Sequence, residues 1–549
     1  MTIASRAFAA MLKIAPASTS AITVQRDVPI PAPDNARLLT DVYLARPTRP
    51  LPVILLRSPY GRRGVYGTMA RLFAERGYHA VVQSTRGTFG SEGHIDFDRE
   101  AADGRAAADW IVEQPWSNGD LGTFGGSYLG FTQYALASTR PPQLKALALG
   151  IWAAERRAYT YPGGAFSLDR LGWAFTIENQ ERPLAFVRTP LRIKKDLGNA
   201  FGHLPLINAD TAAVGHPVGY YRDWLTHDQP GDPYWTPTDF RPILPDLGVP
   251  VTMIAGWYDL FLPDMLKDYQ LLRDGGQTVR LRVGAWHHTS QDLFRHEFAD
   301  ALDWFATHLQ KSGQPPRGDA PIRAEIMGGV GWRELAAWPP QAAVQRWHLQ
   351  PDGALAVADP PACDPDRYTY DPEDPTPAVG GTSTIAFGPR DNRALEQRPD
   401  VLTYTTPPLA EDLEIIGPVT AELFVGSSRP QTDFFARLCD VDQQQKSVNI
   451  TDGIRRLTDA TEDPQRITVD LWPTAHRFAA GHRIRLQVSS GAHPRYARNL
   501  GSAEPLATAT TLNRASQSVH HDPPRPSAII LPVTGGNSNP SSRTDRASA

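Results

Sequence analysis

A chain of 549 residues is too long for one ordinary domain of about 100–200 residues, so two or three are expected. Hydrophobic residues at 41% and charged residues at 21% match a soluble globular protein with apolar material for more than one core. The net charge of -4 provides no field to draw nucleic acid or an anionic membrane surface, and neither is expected as a partner.

Cys363 and Cys439 are the only cysteines, which excludes a disulfide framework but not a single bridge. Neither belongs to a metal-ligand pattern, and no metal or cofactor is expected. The apolar run Ala7 to Leu12 is short for a secretory signal and no small-residue cleavage site follows it. No stretch approaches the roughly 18 apolar residues of a membrane span. These features imply a cytoplasmic protein, and homo-oligomerisation is compatible with them.

In chain order, Ala21–Ile30 and Arg37–Leu44 read as antiparallel strands. Leu51–Ser58 is a continuous apolar run of strand length, Thr68–Arg76 a helix and His79–Gln83 the next strand. Asp98–Glu113 is alanine-rich with apolar residues at helical spacing. Leu121–Gly126 is strand-like, a helix runs from Ser127 to about Ser138, and Leu144–Leu149 is a further strand. Buried strands alternating with helices imply a parallel sheet covered on both faces. Residues 156–245 lose the strand signal and carry helix-like pieces such as Ser167–Asn179. Strands return at Val249–Ala255 and Val279–Val283, flanking a helix over Pro263–Arg273, and Phe294–Gln310 forms an amphipathic helix. From about residue 319 short alternating runs such as Thr420–Val425, Asp433–Asp440, Arg466–Leu471, Arg483–Val488 and Ser527–Pro532 read as an all-β sandwich or jelly roll. The polar tail at 536–549 reads as disordered. The expected architecture is therefore an α/β core over 1–155 and 246–318, interrupted by a helical cap at 156–245 and followed by a β domain at 319–535.

The strongest local motif is Gly125-Gly126-Ser127-Tyr128-Leu129-Gly130, between a strand and a helix. A nucleophile elbow needs small residues there, because the sharp turn that exposes the serine crowds its neighbours. Leu129 occupies the position where G-x-S-x-G has its second glycine, so the motif alone also fits a serine in an inert Gly-rich turn. Asp259 follows the strand run ending in Ala255-Gly256-Trp257-Tyr258, and His287 and His288 follow the next. Asp259 alone would fit a helix cap or turn, and either histidine a turn residue. Together they reproduce the order serine, acid, histidine of α/β-hydrolases, each at the carboxyl end of a parallel strand, where such sheets place ligands. A serine hydroxyl needs an imidazole to take its proton. The imidazole in turn needs a carboxylate to fix its tautomer, and the oxyanion needs preorganised donors, of which the N–H of Tyr128 is one.

The sequence resembles the cocaine-esterase-like hydrolases, relatives of X-prolyl dipeptidyl aminopeptidases and α-amino-acid ester hydrolases. The matching pieces run from about Val24 to Val533. They include Arg57-Ser58-Pro59-Tyr60, Thr85-Arg86-Gly87, Gly125–Gly130, Gly256–Phe261, Gly284–His288, Gly481–Leu486, Pro494-Arg495-Tyr496 and His521-Asp522. The resemblance implies an α/β-hydrolase core, a helical cap and a C-terminal jelly roll. It implies an oxyanion-hole role for the hydroxyl of Tyr60, and it makes His288 rather than His287 the base. Tyr159, Trp173 and Phe261 would line the acyl pocket, although each also fits a buried core aromatic. Two departures stand out: Ala285-Trp286-His287-His288 replaces the common Pro-Trp-x-His, and Ser84 stands where relatives commonly have Asp.

The reading favoured is an esterase with catalytic Ser127, Asp259 and His288, acting on a small-molecule ester with a bulky apolar acyl group. A dipeptidyl-peptidase-like or amino-acid ester or amide hydrolase is second. It would need a carboxylate for the substrate ammonium, for which Asp169, Glu178, Asp223 and Asp228 are available. An inactive protein that binds ligand through its β domain is third.

Overall fold

The computed structural model describes residues 2–182, 193–310, 320–384 and 387–534; the tail expected at 536–549 lies outside them. Ten strands form the first sheet. They are β1 (Ile22–Pro31), β2 (Arg37–Ala45), β3 (Leu51–Ser58), β4 (His79–Ser84), β5 (Ser117–Gly126), β6 (Leu144–Gly150), β7 (Val251–Tyr258), β8 (Val279–His287), β9 (Ile322–Ile326) and β10 (Gly331–Leu335). Their order is β1-β2-β4-β3-β5-β6-β7-β8-β9-β10. The interior from β4 to β9 is parallel, and β1, β2 and β10 are antiparallel to their neighbours.

Burial on both faces explains the unbroken apolar run of β3. Because side chains alternate across a strand, Ile54 and Leu56 pack with Phe73, Phe298 and Phe305 on one face. Val53 and Leu55 pack with Ile111, Phe131 and Leu266 on the other. Helices Gly64–Ala74 and Gln291–His308 cover the first face. Helices Glu100–Val112, Tyr128–Ser138 and Leu262–Asp274 cover the second.

Strands β9 and β10 lie beyond the boundary expected at residue 319. β9 continues the parallel sheet beside β8, and β10 pairs back onto β9, so the first sheet ends at Leu335. The short alternating pattern of these strands resembles that of the β domain that follows. From Ala343 the chain is mostly β: strands such as Leu413–Ser427, Thr432–Val441, Gln465–Phe478 and Arg483–Ser489 belong to a second, eleven-stranded network. Between Arg156 and Asp246 the described residues form short helices, among them Arg156–Thr160, Asp169–Asn179 and Gly219–Thr226, and no strand. This cap has its own core around Phe166, Leu171, Phe175 and Tyr221. Cys363 and Cys439 are both free thiols.

Candidate active site

Ser127 sits between the last residue of β5 and the first of helix Tyr128–Ser138, with φ 58° and ψ -130°. A side chain at positive φ is strained, and the surrounding fold holds it there. Its N–H donates to the carbonyl of Gly150 at 3.0 Å. The flanking glycines have separate steric reasons. A Cβ on Gly125, where φ is 134°, would lie 2.6 Å from Leu129 Cβ; one on Gly130 would lie 2.5 Å from Trp152 Cβ. The glycine demanded by the helix is thus at Gly130, where Trp152 crosses, which leaves position 129 free for a buried leucine.

Asp259 follows β7 directly, and His288 follows β8. The His288 Nδ1–H donates to Asp259 Oδ2 at 2.7 Å, and the Ser127 hydroxyl donates to His288 Nε2 at 3.1 Å. Asp259 is 1% exposed, and its Oδ1 accepts the N–H of Phe261 at 2.9 Å. Its remaining oxygen is therefore held toward the imidazole. His287 is the last residue of β8, opposite Tyr258. Its ring stacks on Phe387 with centroids 4.1 Å apart, away from this hydrogen-bonded chain.

Tyr60, just past β3, has its hydroxyl in hydrogen-bonding contact with Ser127 and accepts the Trp173 indole N–H at 3.1 Å. Burial raises its phenol above the ordinary value, so it keeps its proton. The Tyr128 hydroxyl is committed elsewhere, donating to Glu100 Oε1 at 2.8 Å. Its N–H begins the helix and therefore lacks an intrahelical acceptor. Both oxyanion donors expected from sequence thus border Ser127.

A cavity of about 260 Å³ opens from Ser127. Tyr159, Trp173 and Phe261 line it, joined by Phe97, Trp152 and Trp224. Tyr159 and Trp173 come from the cap, whereas Phe261 belongs to the core after β7. Trp152 and Tyr159 each pack against Phe261, with centroids 4.8 and 4.7 Å away, and Trp173 stacks on Tyr128 at 5.8 Å. Larger clefts of about 590 and 490 Å³ exist, but neither reaches Ser127. Arg156, Arg170 and Thr384 also line the catalytic cavity and were not among the residues expected from sequence. Of the four acids weighed for an ammonium, only Asp169 does so. Its Oδ1 accepts from Ser383 Oγ and from the N–H and hydroxyl of Thr384.

Residues 34–290 match the family model of the X-Pro dipeptidyl-peptidase (S15 family), and 317–530 match its C-terminal non-catalytic domain. A cocaine esterase of Rhodococcus sp. (strain MB1 Bresler) is 32% identical, the alignment covering 93% of this chain and 98% of that protein. The chain belongs to the S15 X-Pro dipeptidyl-peptidase family. Like others of that family it is a serine hydrolase. Two solved structures share the S15-type fold. An α-amino acid ester hydrolase superposes with a TM-score of 0.79 at 23% identity, covering 95% of this chain and 98% of that one. An aminopeptidase from a marine sediment archaeon (Thaumarchaeota archaeon) does so with 0.77 at 22% identity, covering 94% and 98%. Ser84 accepts from Arg62 Nη1 at 2.9 Å, while Asp27 and Asp41 pair with that guanidinium. No helix among the described residues is long and apolar enough to cross a membrane.

Proposed function

We propose that the protein hydrolyses carboxylic esters, with Ser127 as nucleophile, His288 as base and Asp259 as its orienting carboxylate. The observation that carries this reading is the unbroken hydrogen-bonded chain from Ser127 Oγ through both nitrogens of His288 to Asp259, headed by a serine on a strained elbow. Ser127 Oγ attacks the ester carbonyl carbon and its proton passes to His288 Nε2. The carbonyl oxygen becomes an oxyanion, for which the Tyr60 hydroxyl and the Tyr128 N–H are the donors. Collapse expels the alcohol oxygen, which takes the proton from His288 and leaves an acyl-serine. A water then attacks that carbonyl, His288 takes its proton, and collapse returns the proton to Ser127 and frees the acid.

The aromatic walls formed by Trp152, Tyr159, Trp173 and Phe261 suit a bulky, largely apolar acyl group. The amide-cleaving alternative has weaker support, because Asp169 is the one acid among the described residues that lines the cavity and one of its oxygens is already satisfied three times over. The test pairs fluorophosphonate labelling with a panel of 4-nitrophenyl esters set beside Gly-Pro and Ala-Pro anilides. Ester turnover and labelling, both abolished in Ser127→Ala with a fall of roughly four to six orders of magnitude in turnover, are expected. Near-normal turnover in Ser127→Ala would end the reading, and preferential cleavage of the anilides would transfer it to the peptidase alternative.

A further inference from the structure

Seven arginines are buried among the described residues: Arg57, Arg62, Arg86, Arg156, Arg170, Arg437 and Arg495. Five have carboxylate partners. Arg57 pairs with Glu100, Arg62 with Asp27 and Asp41, Arg86 with Asp34 and Asp103, and Arg437 and Arg495 share Asp452. The other two, Arg156 and Arg170, form no ion pair among the described residues, and both line the cavity at Ser127.

Their surroundings are neutral or already committed. Arg156 is 4% exposed. It donates through Nη1 to Thr238 Oγ1 at 3.1 Å and lies 3.9 Å over the ring of Phe97, near the phenols of Tyr159 and Tyr234. Its buried Nη2 has no hydrogen-bond partner. The acid that attracts it from a distance, Asp98, is exposed. Arg170 is 9% exposed and lies 5.0 Å over the ring of Tyr159. Its side chain makes no hydrogen bond with the described residues, and its Nε is buried without one. Asp169 beside it is turned to Ser383 and Thr384. Burial pushes the Arg170 guanidinium below its ordinary value, and the nearby Tyr159 and Asp169 offset the lost hydration only in part.

A buried guanidinium without a counter-ion is costly, and among the described residues every buried arginine except the two at the Ser127 cavity has a carboxylate partner. Both exceptions lean on the acyl-side aromatics, and Arg170 stands one helical turn before Trp173, on the same face. We propose that the acyl portion of the substrate carries a carboxylate, bound by Arg170 and Arg156 while the ester carbonyl lies at Ser127. The inference rests on the ester-hydrolase reading and adds a substrate class to it: half-esters of dicarboxylic acids with an apolar or aromatic spacer. A site with two guanidiniums that lack a carboxylate partner and one committed carboxylate favours that anion over the ammonium of an amino-acid ester.

Three 4-nitrophenyl benzoates of one shape test the inference, bearing 4-carboxylate, 4-methyl or 4-aminomethyl groups. Each kcat/KM is divided by that ester's rate with hydroxide, which removes the electronic effect of the substituent. The rigid para geometry prevents the carboxylate from attacking its own ester. The carboxylate ester is expected to exceed the methyl ester at least tenfold, with the aminomethyl ester poorest. Arg170→Gln and Arg156→Gln should each shrink the carboxylate-to-methyl ratio several-fold, mainly through KM for the carboxylate ester. Equal values for the carboxylate and methyl esters in the wild type would overturn the inference while leaving the hydrolase reading standing. So would variants that depress all three esters alike, which would mark the arginines as structural. Labelling by fluorophosphonate without hydrolysis of the carboxylate ester would also overturn it. Absence of both labelling and hydrolysis would instead remove the hydrolase reading itself.

Discussion

The indole N–H of Trp173 donates to the phenolic oxygen of Tyr60 at 3.1 Å, so the cap sets the direction in which the Tyr60 proton points. With its lone pair engaged by Trp173, the phenol is free to donate toward Ser127 and the oxyanion that forms there. Tyr60→Phe is expected to lower kcat by about 10²–10³, the usual worth of one oxyanion donor, with KM and the unfolding midpoint nearly unchanged. Trp173→Phe should fall in the same direction by less, since Tyr60 survives with its orientation relaxed. Steady-state kinetics beside thermal melts check both, and an unaltered kcat in Tyr60→Phe would make the phenol a wall of the cavity only.

The two adjacent histidines should separate cleanly. His288 hydrogen-bonds both Ser127 and Asp259, so on the proposed mechanism His288→Ala should approach Ser127→Ala in severity, because triad members act as a unit. His287 faces Phe387, and its loss should cost a modest factor through loop packing. One activated ester assayed with both variants decides the matter, and a dead His287→Ala beside an active His288→Ala would reverse the assignment.

Glu297 lies beneath the elbow, 5% exposed, with Oε1 unpartnered and filling the space left by the absent side chains of Gly126 and Gly150. Burial raises its carboxyl from 4.5 to about 8. Below about pH 4.5 both the folded and unfolded chains hold the proton, and this group has no pH-dependent effect on stability. Between about 4.5 and 8 the folded state binds more protons than the unfolded one, so stability falls as pH rises. Glu297→Gln cannot ionise. Its stability relative to wild type should therefore climb across that window, by at most about 1.4 kcal/mol per pH unit, and level off above it. Denaturant unfolding of both proteins from pH 5 to 9 would show the gap widening, and parallel curves would refute the buried proton.

Much of the core was legible because burial on both faces leaves unbroken apolar runs, and Leu51–Ser58 and Val251–Tyr258 announce themselves in that way. Ser127, Asp259 and His288 could be found because each follows a strand of the first sheet. Tyr60 could not be separated from a core aromatic by pattern, and only its resemblance to a known segment singled it out. The strands at Ile322–Ile326 and Gly331–Leu335 were missed because five-residue runs with partial exposure look the same in either domain. The unpaired state of Arg156 and Arg170 was beyond sequence altogether, since whether a guanidinium meets a carboxylate is decided by tertiary packing.

The cavity has a wall from the far end of the chain. Thr384 lines it, Ser383 and Thr384 hold Asp169 in the cap, and the N–H of Leu168 donates to the carbonyl of Arg495 at 3.0 Å. During synthesis Ser127, Asp259 and His288 therefore leave the ribosome well before the segments that seat the cap. At ordinary elongation rates the interval is seconds to tens of seconds. A nascent chain released at about the end of the first sheet would hold Ser127, Asp259 and His288 without a finished room around them. The pocket beside Ser127 is thus walled in full only after Ser383, Thr384 and Arg495 have been made.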